Sequence, residues 1–405
     1  MRNIQEEMSE LLKNYRKEMQ QELENILSYW IKYSIDLRNG GFYGKINNTN
    51  KIQEDAPKGS VLNSRILWTF SAAYNLTKRP YYLQTAERAF KYINSYFIDK
   101  EFDGVYWTVD YSRTAADTRK QIYALAFAIY GLSEYYKASE DERAKQLAIN
   151  LYKAIIKHSY DKVYGGYFEA FTRDWKEISD FRLSAKDSNE KKSMNTHLHI
   201  LEGFANLYLI WPDVVLKQQI VELINIFLTR IIDAETNHLV LFFDERWNRK
   251  SSTISFGHDI EAAWLVQEAA EIIQDEELAE KVKVRSLEVA EAVARGLDTD
   301  GGLWYEKDVA QNHLIKEKHW WPQAEAMVGF YNAYQISGDP SFLERSWNSW
   351  KFVQQYILDE KDGEWFWGIN EDYTIMQGED KVGLWKCPYH NGRACIEIIK
   401  RVVVE

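Results

Sequence analysis

An aromatic turn recurs six times along this chain of 405 residues, at intervals of roughly sixty to seventy-five residues. It reads GGFYGKI at Gly40, DGVYWTV at Asp103, GGYFEAF at Gly165, LVLFFDERW at Leu239, GGLWYEK at Gly301 and DGEWFWGI at Asp362. Glycine supplies the turn and the alternating aromatic run suits a short strand or hairpin. Each turn is followed by a loop and then a helix-period stretch. These stretches begin at Ser64, Gln121, Met194, Gly257, Pro322 and His390 and are apolar on nearly all faces. A second, amphipathic helix precedes each next turn, as in Tyr81–Ile98 and Lys283–Leu297. A unit repeated in this way builds an open solenoid or a closed ring. Helices buried all round alternating with half-exposed ones describe the ring. The expected fold is therefore all-α, an (α/α)6 barrel with short β-hairpins in its connecting loops. No linker or low-complexity tract interrupts the chain, so a single domain over residues 1–405 is expected.

Composition narrows the partners. A net charge of −11 leaves no basic face for phosphates, so no nucleic-acid partner is expected. The lysines from Lys186 to Lys192 are interrupted by Asp187 and Glu190 and read as solvated loop. No apolar run is long enough to span a membrane, and the N-terminal segment reads as an amphipathic helix rather than a secretory signal. Cys387 and Cys395 carry no zinc or redox spacing and read as reduced thiols. A cytoplasmic monomer is expected. The 15 Trp, 26 Tyr and 18 Phe make the aromatic content the outlier; most of the rings read as core and aromatic-rich turns, and flat rings beside polar groups also suit sugar faces.

Each inner stretch carries unusual polar or aromatic residues near its start: Arg65, Tyr123, Asn195 with His199, His258 with Glu261, Trp321 with Glu325, and His390. In a closed ring these starts meet at one mouth. Asn195 and His199 stand four apart and share a helix face, as do Trp321 and Glu325; His258 and Glu261 stand three apart. His197 points elsewhere. Pro322 sits where its helix is expected to start. The plainer readings make Glu325 a buried partner for an arginine and Trp320 and Trp321 plugs of the barrel. His158, His238 and His313 fall in outer or loop segments. A metal site drawn from His199, His258, His390 and Glu261 lacks any tight ligand spacing, so no metal or other cofactor is expected.

Several imidazoles, carboxylates and an arginine at one mouth suit proton transfer next to a sugar carbonyl. A histidine takes and returns a proton near neutrality. Arg65 or a second histidine would stabilise the enediolate formed once the ring opens. Glycoside hydrolysis by Glu261 and Glu325 is the alternative chemistry. A non-catalytic sugar-binding protein is a third reading, and stacking alone would not call for histidines on separate helices.

The segments SRILW at Ser64, KDSNEKKSMNTHLH at Lys186, GHDIEAAWL at Gly257, WWPQAEAMVGF at Trp320 and WKCPYHNGR at Trp385 resemble the cellobiose 2-epimerases. Those enzymes belong to the N-acylglucosamine 2-epimerase superfamily and share the (α/α)6 barrel. The resemblance runs from about residue 20 onward and implies a role for each matching position. His390 would abstract the C2 proton of a reducing-end sugar, and His258 would be the second acid/base. Arg65 would hold the enediolate oxygens, while His199 and Asn195 would polarise the sugar. Glu261 would orient His258, and Glu325 would join the same network. Trp321 and Trp385 would stack on the two sugar units of a disaccharide, and Tyr123 and Asp187 would contact hydroxyls. The family works without metal or nucleotide. The sequence departs from its pattern at Pro322.

Overall fold

A computed structural model describes residues 2–403; Met1, Val404 and Glu405, part of the expected domain, lie outside the described residues. Among the described residues, twelve α-helices alternate between two concentric rings. The inner ring is α2 (Ser60–Thr77), α4 (Ile122–Ser139), α6 (Met194–Tyr208), α8 (Phe256–Ile272), α10 (Trp320–Ser337) and α12 (Tyr389–Arg401). The outer ring is α1 (Arg2–Tyr33), α3 (Pro80–Tyr92), α5 (Glu142–His158), α7 (Val214–Ile226), α9 (Glu276–Ala294) and α11 (Pro340–Phe352). Each inner helix packs on the next, and α12 returns to α2, so the ring closes. The expected (α/α)6 barrel is the observed fold.

Burial follows from the sequence pattern. In α2 every residue from Ser60 to Ala73 is buried, so no face is left for solvent. In α5 Ala144, Ala148, Leu151, Tyr152 and Ile155 form the buried stripe of an amphipathic helix. Three outer helices, α3, α7 and α11, run on into one π turn at 93–97, 227–231 and 353–357, a feature with no sequence signal.

The expected hairpins are present as tight turns, each bridged across its base: Ile35–Phe42, Ile98–Val105, Tyr160–Tyr167, Ile232–Leu239, Leu297–Leu303 and Leu358–Trp365. At Gly166 the backbone has φ +75°, and a Cβ there would stand 2.5 Å from the Trp247 ring. The fourth turn has Asn237 in the same conformation, at φ 60°, which explains how it dispenses with glycine.

The turns also do something the sequence reading did not anticipate. The strand after each turn pairs antiparallel with the strand that leads into the preceding repeat's inner helix. Thus β2 (Lys58–Gly59) pairs β3 (Thr108–Val109), and β5 (Lys120–Gln121) pairs β6 (Ala170–Phe171). The same relation joins β7 (Lys192–Ser193) to β8 (Phe242–Phe243), β9 (Thr253–Ser255) to β10 (Glu306–Asp308), and β12 (Lys318–His319) to β13 (Gly368–Ile369). The sixth pairing, β14 (Asp380–Val382) with β1 (Ile46–Asn47), joins the last repeat to the first. Two strands, β4 (Ala115–Asp117) and β11 (His313–Ile315), extend β3 and β10 as true hairpins.

An ion pair anchors each of these joints, and in five of the six its lysine is buried. The turns of all six repeats contain an aspartate: Asp36, Asp99, Asp161, Asp233, Asp298 and Asp359. Five receive a lysine from the strand before the inner helix of their own repeat: Lys58–Asp36 at 2.7 Å, Lys120–Asp99 at 2.8 Å, Lys192–Asp161 at 2.7 Å, Lys318–Asp298 at 2.8 Å and Lys381–Asp359 at 2.6 Å. Repeat four substitutes Arg249, whose side chain is 57% exposed against 0% for Lys381. No described helix is long and apolar enough to cross a membrane.

Candidate active site

The starts of all six inner helices surround one cavity of about 400 Å³, a volume within the range of small-molecule sites. Its lining forms two tiers. Near the mouth stand Tyr123, Asn195, His258, Trp321 and His390, each in the first turn of its helix. One turn deeper stand Arg65, His199 and Glu261. The expected four-residue spacing on α6 thus places Asn195 above His199. Helix α2 begins at Ser60, earlier than expected, so Arg65 reaches the cavity from its second turn. Helix α10 begins at Trp320, which puts Pro322 third rather than first; the amide lost there has no partner within the helix in any case. Gly257 lets this helix start approach, since a Cβ would lie 2.6 Å from the Trp321 ring and 2.9 Å from Pro322.

Of the eleven site residues expected from sequence, ten line the cavity: Arg65, Tyr123, Asp187, Asn195, His199, His258, Glu261, Trp321, Trp385 and His390. The eleventh, Glu325, lies just behind it and accepts from His390 Nδ1 at 2.7 Å. That contact fixes the proton of neutral His390 on Nδ1 and leaves Nε2 as the basic atom. Burial pushes the His390 and His258 imidazoles down to about 3, so both are neutral at pH 7. The expectation that Glu261 orients His258 is corrected by the structure. Ser255 Oγ meets His258 Nδ1 at 2.8 Å, while Glu261 Oε1 is taken by Arg393 at 2.6 Å. Residues three apart on a helix share a face, but here the carboxylate meets Arg393 and the imidazole meets Ser255.

Arg65 is held by its surroundings rather than by a carboxylate. It donates to the Tyr123 hydroxyl at 2.7 Å and to the Trp385 carbonyl at 3.3 Å, with its guanidinium 4.2 Å from the Phe127 ring centre. Its Nε, the Asn195 Oδ1 and the Trp320 indole nitrogen are buried without a protein partner. Polar atoms in that state are costly unless a ligand satisfies them. Trp321 packs against both His258 and His390, with ring centres 4.6 and 5.7 Å apart. Trp385 lies 5.9 Å from Tyr123.

Sequence reasoning missed much of the rest of the rim, including Leu183, Lys186, Tyr305, His319, Trp367 and Glu379. These come from loops and strand ends, where no periodicity marks a facing side; His319, stacked on Tyr305 at 3.9 Å, was nevertheless signalled by standing directly before the Trp pair. His197 points away as expected, its Nδ1 donating to the Ser193 carbonyl at 2.7 Å. His238 is tied to Asp259 at 2.6 Å, away from the cavity. The metal alternative gathers differently from expectation. Ligand atoms of Glu261, Glu325 and His390 lie within 4.8 Å of one another. Arg393 Nη2 already donates to both carboxylates, at 2.6 and 2.7 Å, so a guanidinium supplies the positive charge there.

The sequence matches the N-acylglucosamine 2-epimerase family over residues 41–394. The chain belongs to that family. Within it, the chain is 47% identical to a cellobiose 2-epimerase of Bacteroides fragilis, over 97% of this chain and 100% of that one. A cellobiose 2-epimerase of Dictyoglomus turgidum is 40% identical over 96% of this chain and all of its own length. The solved cellobiose 2-epimerase of Bacillus thermoamylovorans superposes with a TM-score of 0.92 at 38% identity, covering 96% of this chain and 100% of that one. As a member of the N-acylglucosamine 2-epimerase family, the chain is a carbohydrate epimerase, and the cavity described above is its candidate site.

Proposed function

We propose that the chain is a cellobiose 2-epimerase, which inverts C2 of the reducing-end glucose in β-1,4-linked disaccharides. Cellobiose would give glucosyl-mannose and lactose would give epilactose; mannobiose would react in the same way. The observation that carries this reading is a pair of neutral imidazoles, His390 and His258, facing one cavity beside a buried arginine. After ring opening, the C2–H bond breaks and its proton passes to His390 Nε2. The electron pair moves into a cis-enediolate, whose oxygens Arg65 holds by donated hydrogen bonds, while the bare Nε2 of His199 accepts from a sugar hydroxyl. A proton from solvent, relayed through His258, then reaches C2 on the opposite face, His390 returns its proton to solvent, and the ring recloses. Asn195, Tyr123, Asp187 and Glu261 contact hydroxyls, while Trp321 and Trp385 stack on the sugars. Glu325 keeps His390 in the productive tautomer.

In this reading the chain is one barrel domain that works as a cytoplasmic monomer, without metal or nucleotide. Hydrolysis fits the site less well. It needs carboxylates on either side of the scissile bond, whereas Glu325 sits behind His390 and shares Arg393 with Glu261. Incubation with cellobiose in D2O and EDTA, followed by proton NMR, tests the proposal. Glucosyl-mannose deuterated at C2 is the expected product. Free glucose would replace the reading with hydrolysis, and a ketose with isomerisation. Turnover of N-acetylglucosamine alone would move it to the N-acylglucosamine branch.

A further inference from the structure

Beneath the cavity lies a buried network in which the proposed chemistry gives roles to Glu325 and Glu261 but none to Arg393 or Glu202. Arg393, on the fifth position of α12, is 1% exposed and does not line the cavity. Its Nη2 donates to Glu325 Oε1 at 2.7 Å and to Glu261 Oε1 at 2.6 Å. Its Nη1 donates to Glu202 Oε1 and to the Tyr389 hydroxyl. Glu202 Oε2 in turn meets His199 Nδ1 at 2.9 Å, as Glu325 Oε1 meets His390 Nδ1 at 2.7 Å. The Trp264 indole holds Glu325 Oε2 at 3.0 Å, and the Tyr389 hydroxyl holds Glu202 at 2.5 Å. One guanidinium therefore stands between two carboxylates, each of which ends on the Nδ1 of a different cavity histidine.

We propose that Arg393 is a shared positioning residue: through Glu325 and Glu202 it sets the tautomers of His390 and His199 together, so that both present a bare Nε2 to the cavity. A carboxylate facing Nδ1 keeps the imidazole proton there. It does so only while ionised and correctly turned, and both conditions come from the arginine. Guanidinium has donors on two edges in a rigid fork and can address both carboxylates at once, which the point charge of a lysine cannot. Burial raises the carboxyls, but Arg393 holds Glu202 and Glu325 below their ordinary range, while Glu261 stays raised. The single cation thus keeps charged the two carboxylates that orient histidines. The inference rests on the proposed epimerase reading only for the role of His390 as the base.

The test is 15N NMR of histidine-labelled full-length protein, without substrate, beside steady-state rates. The wild type is expected to show the Nδ1–H tautomer at His390 and at His199. Arg393→Lys should lose that single tautomer at both residues and leave His197, whose Nδ1 is fixed by the Ser193 carbonyl, unchanged. Its kcat should fall about 10–100-fold with KM little altered. A change at only one histidine, or at neither, overturns the proposal. Should Arg393→Lys not fold, Glu202→Gln and Glu325→Gln with their double variant replace it. Coupling through Arg393 predicts that Glu202→Gln also perturbs His390, and that the two effects on kcat deviate from independence by more than about threefold. Independent effects with His390 undisturbed overturn it. The tautomers are read without turnover, so a wild type that fails to epimerise would remove the functional reading and leave this result standing.

Discussion

Three buried carboxyls, Glu202, Glu261 and Glu325, share one arginine, and their inequality has a measurable consequence. Burial and the neighbouring Glu325 charge push Glu261 up to about 8, against the pull of Arg393. Glu261 is therefore a protonated acid at neutral pH, and its other oxygen makes no hydrogen bond among the described residues. The groups around it are Arg393, Glu325, Glu202 and His390. The raised carboxyl binds its proton more tightly folded than unfolded, so its contribution to stability is full at low pH and lost as pH rises through about 8. The depressed His390 behaves oppositely: its contribution is present above the ordinary histidine range and lost as pH falls toward about 3. Initial rates of C2 exchange are expected to show no inflection near pH 6.5 and to decline near pH 8. Glu261→Gln, which keeps a donor but cannot ionise, should move that decline to higher pH. An unchanged decline would mean that another group titrates. At this scale the sequence was legible where helix spacing concentrates polar residues at inner-helix starts. Glu325 was readable as a partner for an arginine, which it is, but its bond to His390 crosses from α10 to α12, and no spacing along one helix predicts that. Arg393 was invisible for the same reason, whereas Ser255 stands only three residues before His258 and was within reach of spacing along the chain.

At the scale of elements, the alternation of fully apolar and amphipathic helices gave the two rings directly. The six turns were also readable, since glycine and alternating aromatics mark them. What escaped was their pairing across repeats and the Asp–Lys anchor. Both join segments about twenty or more residues apart, and a lone aspartate in a turn has a sufficient local explanation as a turn former. The anchors differ in burial, which sets up a comparison within one molecule. Lys381→Met strands the Asp359 carboxylate beneath the joint and should cost about 3–5 kcal/mol. Arg249→Met removes a partner that is already solvated and should cost under about 1 kcal/mol. Urea unfolding of the two variants measures the difference. Equal costs would show that the buried lysines are not what fastens the joints.

For the whole molecule, closure depends on the meeting of first and last repeats. Helix α1 packs against α12, and Arg16 donates to the Val402 carbonyl at 3.3 Å. Three indole–carboxylate bonds stitch α1 to α11 and to the sixth turn: Trp30 to Glu364 at 2.5 Å, Trp350 to Glu18 at 2.6 Å and Trp365 to Glu22 at 2.7 Å. The ladder between β1 and β14 completes the seam. Six equivalent joints then surround the cavity, and five of them happen to be crossed by a continuous chain. A ring of that kind has no privileged starting point. Joining the two present ends by a flexible linker and cutting instead at the exposed connection after Gln274, between α8 and α9, would yield a circularly permuted chain with every joint retained. Such a permutant is expected to fold and to turn over the same sugar. If it did not, the order in which the repeats are synthesised would matter to a barrel whose finished form does not record it.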